Sequence, residues 1–223
     1  MSKLRKITEP AGNLLWPSRC VLCDCLMPEG DICVPCANAA GVYHHNAWKI
    51  MHVKDWVALW QYSGAVRDSL IRYKFNRRRN YCETYGRELA KKLQKVSFDY
   101  DVITWVPVSF LRRWGRGYDQ VELITRRVGR ELGNEAVKTL HKHRHNRRQA
   151  RIKGKDARIA NVRGVYRAVD ADAFRGKRVL LIDDIVTTGA TVSEAARVLK
   201  KAGASAVYVA CVAAAAGWQN FNT

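Results

Sequence analysis

The segment from Val179 to Thr191 constrains the fold of this 223-residue chain more than any other part of the sequence. It begins with four apolar residues, continues with the carboxylates Asp183 and Asp184, and ends in a Thr-Thr-Gly-Ala-Thr loop. An unbroken apolar run predicts a strand that is buried on both faces, as in a parallel sheet. Open parallel sheets bind their ligands at the carboxyl ends of the strands. The segment therefore predicts an α/β fold with a binding site directly after this strand.

The residues after the apolar run have the chemistry of a sugar-phosphate site. Ionised Asp183 and Asp184 only accept hydrogen bonds, which suits the vicinal hydroxyls of a ribose. The loop offers backbone N–H groups and hydroxyls just before a predicted helix, whose N-terminus favours a phosphate. The candidate phosphate-binding residues are Thr187, Thr188, Gly189, Ala190 and Thr191. A buried strand followed by an N-capping threonine and a glycine turn would explain the loop, but not the two adjacent acids.

This pattern resembles the phosphoribosyl pyrophosphate (PRPP) signature of type I phosphoribosyltransferases. In that signature the two acids hold the ribose hydroxyls and the loop holds the 5′-phosphate. A second glycine-containing loop leaves a strand and enters a helix at Arg112–Gly117. Its glycines allow close approach of the backbone to phosphate, and its guanidinium groups pair with phosphate oxygens. Arg116 and Gly117 are the candidate pyrophosphate ligands, and an exposed basic turn is the alternative.

Strand and helix patterns alternate from residue 47 to residue 223. The predicted strands cover residues 56–62, 101–108, 161–169, 179–182 and 205–212, and the predicted helices cover 64–75, 85–96, 118–132 and 190–202. Such alternation predicts a parallel sheet flanked by helices. Residues 1–46 differ in composition from the rest of the chain, because they contain paired cysteines and too few large apolar residues for a core. We therefore expect a small metal-binding module at 1–46 and a phosphoribosyltransferase-like domain at 47–223.

Four cysteines within the first module have the spacing of a structural zinc site. They form two Cys-x2-Cys pairs separated by nine residues and are Cys20, Cys23, Cys33 and Cys36. Two such pairs complete a tetrahedral thiolate shell around Zn²⁺. Disulfides would not persist in a reducing cytosol. The nearby Cys25 is a spare thiol that could replace one of the four ligands, although its spacing from Cys23 is poorer.

The chain is strongly basic, with a formal net charge of +19. Ten Lys or Arg residues lie between His141 and Ala168, where Asp156 is the only acid. A second cluster, Arg72–Arg79, includes interleaved aromatic residues. A solvated basic surface is one explanation, but pyrophosphate needs only a few cations, so the excess also indicates a nucleic acid. The candidate nucleic-acid ligands are Arg147, Arg148 and Arg151.

Several short segments, in order along nearly the whole chain, resemble the ComF family of competence and DNA-utilisation proteins. They are the cysteine pairs, Lys74-Phe75, Arg116-Gly117-Tyr118-Asp119-Gln120, Arg148-Gln149-Ala150, Arg158-Ile159-Ala160-Asn161-Val162 and the PRPP loop. Tyr118 and Asp119 stand where the family pattern prefers Phe and Asn. The resemblance implies a type I phosphoribosyltransferase-like fold behind a zinc ribbon, with PRPP bound together with Mg²⁺. It also implies a role in DNA uptake or use, with single-stranded DNA as the nucleic acid and a competence-machinery protein as a partner.

Three functions remain open on the sequence alone. The first is a DNA-linked protein with a PRPP pocket. The second is an active phosphoribosyltransferase without a direct DNA role, which transfers ribose-5-phosphate from PRPP to an unidentified acceptor. The third is a regulator that senses PRPP. No segment has the length and apolarity of a bilayer span, and the N-terminus lacks the features of a secretory signal, so we expect a cytoplasmic protein.

Overall fold

A computed structural model describes residues 18–41, 49–144 and 160–215, apart from the side chain of Arg112. The strands and helices in chain order are β1 Ser18–Arg19, β2 Leu26–Met27, α1 Val34–Ala39, β3 Asp55–Gln61, α2 Gly64–Phe75, α3 Tyr81–Gln94, β4 Val102–Trp105, α4 Phe110–Arg116, α5 Gln120–Leu132, β5 Leu140–Lys142, β6 Tyr166–Ala168, β7 Arg178–Val186, α6 Ala190–Lys201 and β8 Ala206–Ala214. The predicted alternation of strands and helices is confirmed.

The core of the protein is a parallel sheet of four strands in the order β3-β8-β7-β4. Side chains of β7 alternate between two hydrophobic clusters, with Leu180 and Ile182 in one and Val179 and Leu181 in the other. The first cluster includes residues of α2, α3 and α5, and the second includes residues of α6 and of the antiparallel β5–β6 ribbon. Because both faces are covered, β7 is apolar from Val179 to Ile182, the four positions directly before its acids.

Three stretches differ from the predicted elements. The arginine- and glycine-rich segment predicted as a loop forms helix α4, and Gly117 ends this helix with φ 80°, the left-handed conformation that glycine accepts at a helix C-terminus. Helix α3 begins at Tyr81 rather than at residue 85, because Tyr81 and Cys82 pack into the core. In the predicted strand 161–169, only Tyr166–Ala168 is extended, and residues 160–162 are helical.

The described part of the N-terminal module packs directly against the sheet domain. A β1–β2 hairpin and helix α1 present the cysteines, an arrangement that fits a zinc ribbon. Cys20, Val21 and Leu22 are buried in the same hydrophobic cluster as α2 and α3. The predicted boundary at residue 46 lies in 42–48, outside the described residues. In the parts of the chain that the structure describes, no helix has both the length and the apolar character needed to cross a membrane.

Candidate functional site

A cavity of about 480 Å³ lies at the carboxyl end of β7. The acidic pair, the loop after it and Arg116 all line this cavity, and they are Asp183, Asp184, Thr187, Thr188, Gly189, Ala190, Thr191 and Arg116. The other predicted pyrophosphate ligand, Gly117, follows Arg116 and donates its N–H to the Arg113 carbonyl at 2.7 Å. The structure therefore brings the two predicted loops to one site.

The loop after β7 turns directly into helix α6. Gly189 has φ 70° at the N-cap position, a backbone conformation that residues other than glycine rarely adopt. The Thr188 hydroxyl accepts a hydrogen bond from the Ala190 N–H at 3.4 Å. The first residues of α6 line the cavity, so the positive end of the helix dipole lies beside it. Backbone N–H groups, hydroxyls and a helix N-terminus together suit a phosphate group.

The two acids after the apolar run are both buried, with 6% of Asp183 and 5% of Asp184 exposed. Burial raises the pKa of the Asp183 carboxyl well above its ordinary value, and the neighbouring charge of Asp184 raises it further. The Asp184 carboxylate is held by two side chains, since Lys74 Nζ lies 2.9 Å from Oδ1 and Gln120 Nε2 donates to Oδ2 at 3.2 Å. An acceptor-rich pair is thus fixed at the base of the cavity.

Lys74, Gln120 and Lys142 complete the polar lining of the cavity. The sequence placed Lys74 in the basic cluster Arg72–Arg79, and both Lys74 and Gln120 in family-like segments, without a partner for either. Gln120 Oε1 is buried and has no hydrogen-bond partner among the described residues, so it is available to a ligand donor. Lys142 comes from the β5–β6 ribbon, is only 7% exposed and lies 5.2 Å from the centre of the Tyr166 ring. In the sequence Lys142 was one of the ten basic residues between His141 and Ala168, and nothing there indicated that it would be buried.

Asp119, one of the two departures from the family pattern, has a structural role. Its carboxylate caps helix α5 by accepting the Val121 N–H at 3.0 Å and the Glu122 N–H at 3.2 Å. It also accepts the Val108 N–H at 3.0 Å, which ties down the chain that leaves β4. Burial raises the pKa of Asp119 overall, although these backbone donors oppose the shift. Three backbone N–H groups within the fold therefore satisfy the Asp119 carboxylate.

Five cysteines converge beside α2. The sulfurs of Cys20, Cys23, Cys25 and Cys33 lie within 4.8 Å of one another and could hold a metal ion. The Cys23 and Cys33 sulfurs are 3.7 Å apart. A tetrahedral site with Zn–S bonds of about 2.3 Å has sulfurs separated by about 3.8 Å, so this spacing fits zinc.

Sequence spacing and the structure favour different fourth thiols, because the Cys-x2-Cys pattern predicts Cys36 whereas the structure groups Cys25 with the other three. Burial raises the pKa of Cys36, and the adjacent Cys23 and Cys33 thiols raise it further, so Cys36 also adjoins the cluster. A hydrogen bond from the Cys25 backbone lowers the pKa of Cys23 to about 6, which favours a thiolate there. Cys20, Cys23 and Cys33 are common to both possible ligand sets, and Cys25 and Cys36 compete for the remaining position.

Helix α2 contacts both the cysteine cluster and the cavity. On one side, the Ser69 hydroxyl donates to the Val21 carbonyl, and the Arg72 guanidinium donates to the Leu22 carbonyl. On the other side, Ile71 and Lys74 line the cavity. Helix α2 therefore connects the cysteine loop to Lys74. The predicted nucleic-acid ligands Arg147, Arg148 and Arg151 lie outside the described residues.

Comparison with known proteins extends these observations. A family model described as a phosphoribosyl transferase domain matches residues 82–219. Competence protein F of Haemophilus influenzae is 31% identical over 54% of this chain. The matched residues span about half (52%) of the length of that relative. The DNA utilization protein YhgH of Salmonella typhi is 26% identical over 87% of this chain and 84% of its own length. Glutamine PRPP amidotransferase from B. subtilis has a TM-score of 0.39 and 26% identity, over 58% of this chain and 25% of that structure. The names of the relatives agree with the resemblance drawn from the sequence segments.

Proposed function

The chain belongs to the phosphoribosyl transferase domain family and is of the ComF type, and from that premise we propose that it binds PRPP with Mg²⁺ and acts on or with single-stranded DNA. The observation that carries the proposal is the buried acidic pair together with the N-terminus of α6, both lining one cavity of about 480 Å³. A ribose needs acceptors for its diol and a phosphate needs N–H donors, and this cavity offers both.

Each part of PRPP has a matching part of the cavity. Asp183 and Asp184 accept hydrogen bonds from the ribose hydroxyls, and residues 187–191 surround the 5′-phosphate. Arg116 would contact the pyrophosphate, with Gly117 ending the helix directly after it, and Lys74 lines the same cavity. Mg²⁺, when bound with PRPP, would neutralise charge on the pyrophosphate and ribose oxygens. The carboxylate oxygens of the acidic pair are ligands that Mg²⁺ prefers, and the open cavity leaves room for such an ion.

An active transferase is a second candidate, and it is favoured by Lys142 and Tyr166, which line the cavity from the β5–β6 ribbon. In such a reaction the bond between the anomeric carbon and pyrophosphate breaks, and pyrophosphate leaves with the electron pair. A nucleophile then forms the new bond to that carbon. The protein contributes by positioning the groups and stabilising their charge. Lys142 and Tyr166 would contact the acceptor.

The proposed role in DNA use rests on charge and on relatives. The chain has a net charge of +19, and two similar proteins are named for competence and for DNA utilisation. A competence-machinery partner, a cytoplasmic location and a role for Arg147, Arg148 and Arg151 remain predictions.

Structural zinc at the cysteine cluster is part of the same proposal. Thiolates held near tetrahedral spacing would bind Zn²⁺ and stabilise a module that has little core of its own. Elemental analysis of protein purified without chelators tests this directly. About one zinc per chain is expected, and metal-free, folded protein would exclude the assignment.

Calorimetric titration with PRPP and Mg²⁺ tests the pocket. The double variant Asp183→Asn/Asp184→Asn keeps the side-chain volumes but removes both charges, and we expect saturable binding to be lost. Asp172→Asn is the matched control, because its side chain is 93% exposed and lies outside the cavity lining. Binding that persists in the double variant, or is absent from the unaltered protein at millimolar PRPP, would refute the proposed pocket.

A further inference from the structure

Large apolar side chains are exposed on helix α4 and at the end of helix α2, both of which contribute residues to the cavity lining. Among the described residues, seven large hydrophobic side chains are exposed, and four of them lie on α4 or at the end of α2. They define the aromatic platform, which consists of Trp114, Phe110, Leu111 and Phe75, with 79%, 72%, 58% and 50% exposed. Scattered exposed residues are ordinary on protein surfaces, but a grouped set indicates a binding surface.

The helical geometry of α4 groups these side chains. Phe110 and Trp114 are four residues apart, so they are neighbours on one side of the helix. Phe75 is joined to α4 by Arg116, whose guanidinium lies 5.2 Å from the centre of the Phe75 ring. Phe75 and Arg116 also line the cavity. Phe75 and Arg116 therefore connect α4 to the cavity, whereas Phe110 and Trp114 lie on another side of the helix and do not line the cavity.

The charge around the platform selects the kind of ligand. Arg113 and Arg116 belong to α4, and the exposed Arg77 and Arg79 follow Phe75. The nearby Glu122 is already paired with Arg126 at 3.0 Å, and it lies 4.0 Å from Arg113. Exposed aromatic rings bordered by arginines match a chain of planar bases joined by phosphates. Duplex DNA keeps its base faces stacked inside, so only a single strand offers them.

We propose that the aromatic platform is the single-stranded DNA site of this protein. Bases stack on Trp114 and Phe110, and the arginines around the platform contact the phosphates. This assignment rests on the proposed DNA function and names where that function is carried out. It differs from the sequence-based candidates Arg147, Arg148 and Arg151, because it depends on aromatic rings as well as on charge.

Fluorescence anisotropy with a labelled oligothymidylate tests the platform on the full, zinc-loaded chain. Base–aromatic stacking is worth about 1–3 kcal/mol per base, so Trp114→Ala and Phe110→Ala should each weaken binding about fivefold or more. Trp114→Phe should retain most of the affinity because it keeps an aromatic face. Met51→Ala is the matched control, since Met51 is 71% exposed but precedes the amino end of β3, whereas the cavity lies at the carboxyl ends of the parallel strands. Arg113→Gln should reduce the slope of log affinity against log salt by about 0.7.

The outcomes separate this inference from the proposed function. If the unaltered protein binds the oligonucleotide and the alanine variants bind it equally well, the DNA function stands and the platform is overturned. If the unaltered protein does not bind, both fail. If Trp114→Ala dissociates a dimer in sedimentation without changing DNA affinity, a second copy of the chain covers the platform and the inference is wrong. PRPP titration of Trp114→Ala should match the unaltered protein, because Trp114 does not line the cavity.

Discussion

The ion pair between Lys74 and Asp184 should stabilise the protein before any ligand binds. Lys74 Nζ lies 2.9 Å from Asp184 Oδ1, and the two side chains are 19% and 8% exposed. Lys74→Met keeps the length of the apolar stem but removes the charge. The Asp184 carboxylate then remains buried beside Asp183, with Gln120 as its donor. A buried charge that loses its partner costs several kcal/mol, so the variant should be clearly destabilised.

The magnitude follows from the distance and the burial. Two charges separated by 2.9 Å attract with about 6 kcal/mol at an effective dielectric constant of 20. Desolvation of both groups, and water at the cavity mouth, offset much of this attraction. We therefore expect a net coupling of about 1.5–3 kcal/mol. For a domain of this size, 1 kcal/mol shifts the melting temperature by about 2–4 °C, so Lys74→Met should lower it by about 5–10 °C.

A double-mutant cycle measures this coupling by urea denaturation of the zinc-loaded protein without PRPP or Mg²⁺. The cycle uses Lys74→Met, Asp184→Asn and the double variant, and the double variant should recover much of the stability lost in Lys74→Met. Lys91 and Glu88 provide the matched control, since their 2.7 Å pair is 58% and 27% exposed. Their coupling should stay below about 0.5 kcal/mol. Additive effects at Lys74 and Asp184, within about 0.5 kcal/mol, would refute the reasoning.

Three further predictions concern the acids and the zinc. Asp183→Asn should raise the melting temperature at neutral pH by about 2–4 °C, because the raised pKa of Asp183 means that its ionisation costs stability as pH increases. This gain should disappear below pH 4, where the carboxyl is protonated in both folded and unfolded chains, and a pH-independent gain would contradict it. Cys36→Ser should weaken zinc binding in chelator competition at least tenfold more than Cys25→Ser, since Cys36 completes the second Cys-x2-Cys pair and is buried. The reverse order would make Cys25, whose sulfur lies within 4.8 Å of the other three, the fourth ligand. Removing zinc with a chelator should weaken PRPP binding in calorimetry, because α2 contacts both sites, and unchanged affinity would show that the sites are independent.

Local patterns determined the parts of this protein whose structure depends on neighbouring residues in the chain. The apolar run before Asp183 could only be a buried strand, and the Thr-Thr-Gly loop after it could only lead into a helix. The order of strands and helices followed from the same kind of pattern. Asp183, Asp184 and Arg116 therefore came together as predicted, because parallel strands end at a common edge.

Tertiary structure decided what depends on contacts distant in sequence. Lys74 and Asp184 are 110 residues apart, so no local pattern could pair them. Cys25 joins the cysteine cluster because the hairpin folds back, although spacing alone favoured Cys36. The glycines near Arg116 predicted a loop, but Gly117 instead ends a helix whose apolar side chains face outward. The sequence by itself thus determined which polar residues follow the apolar strand segments. Packing decided which distant side chains meet them, because long-range contacts depend on the whole fold.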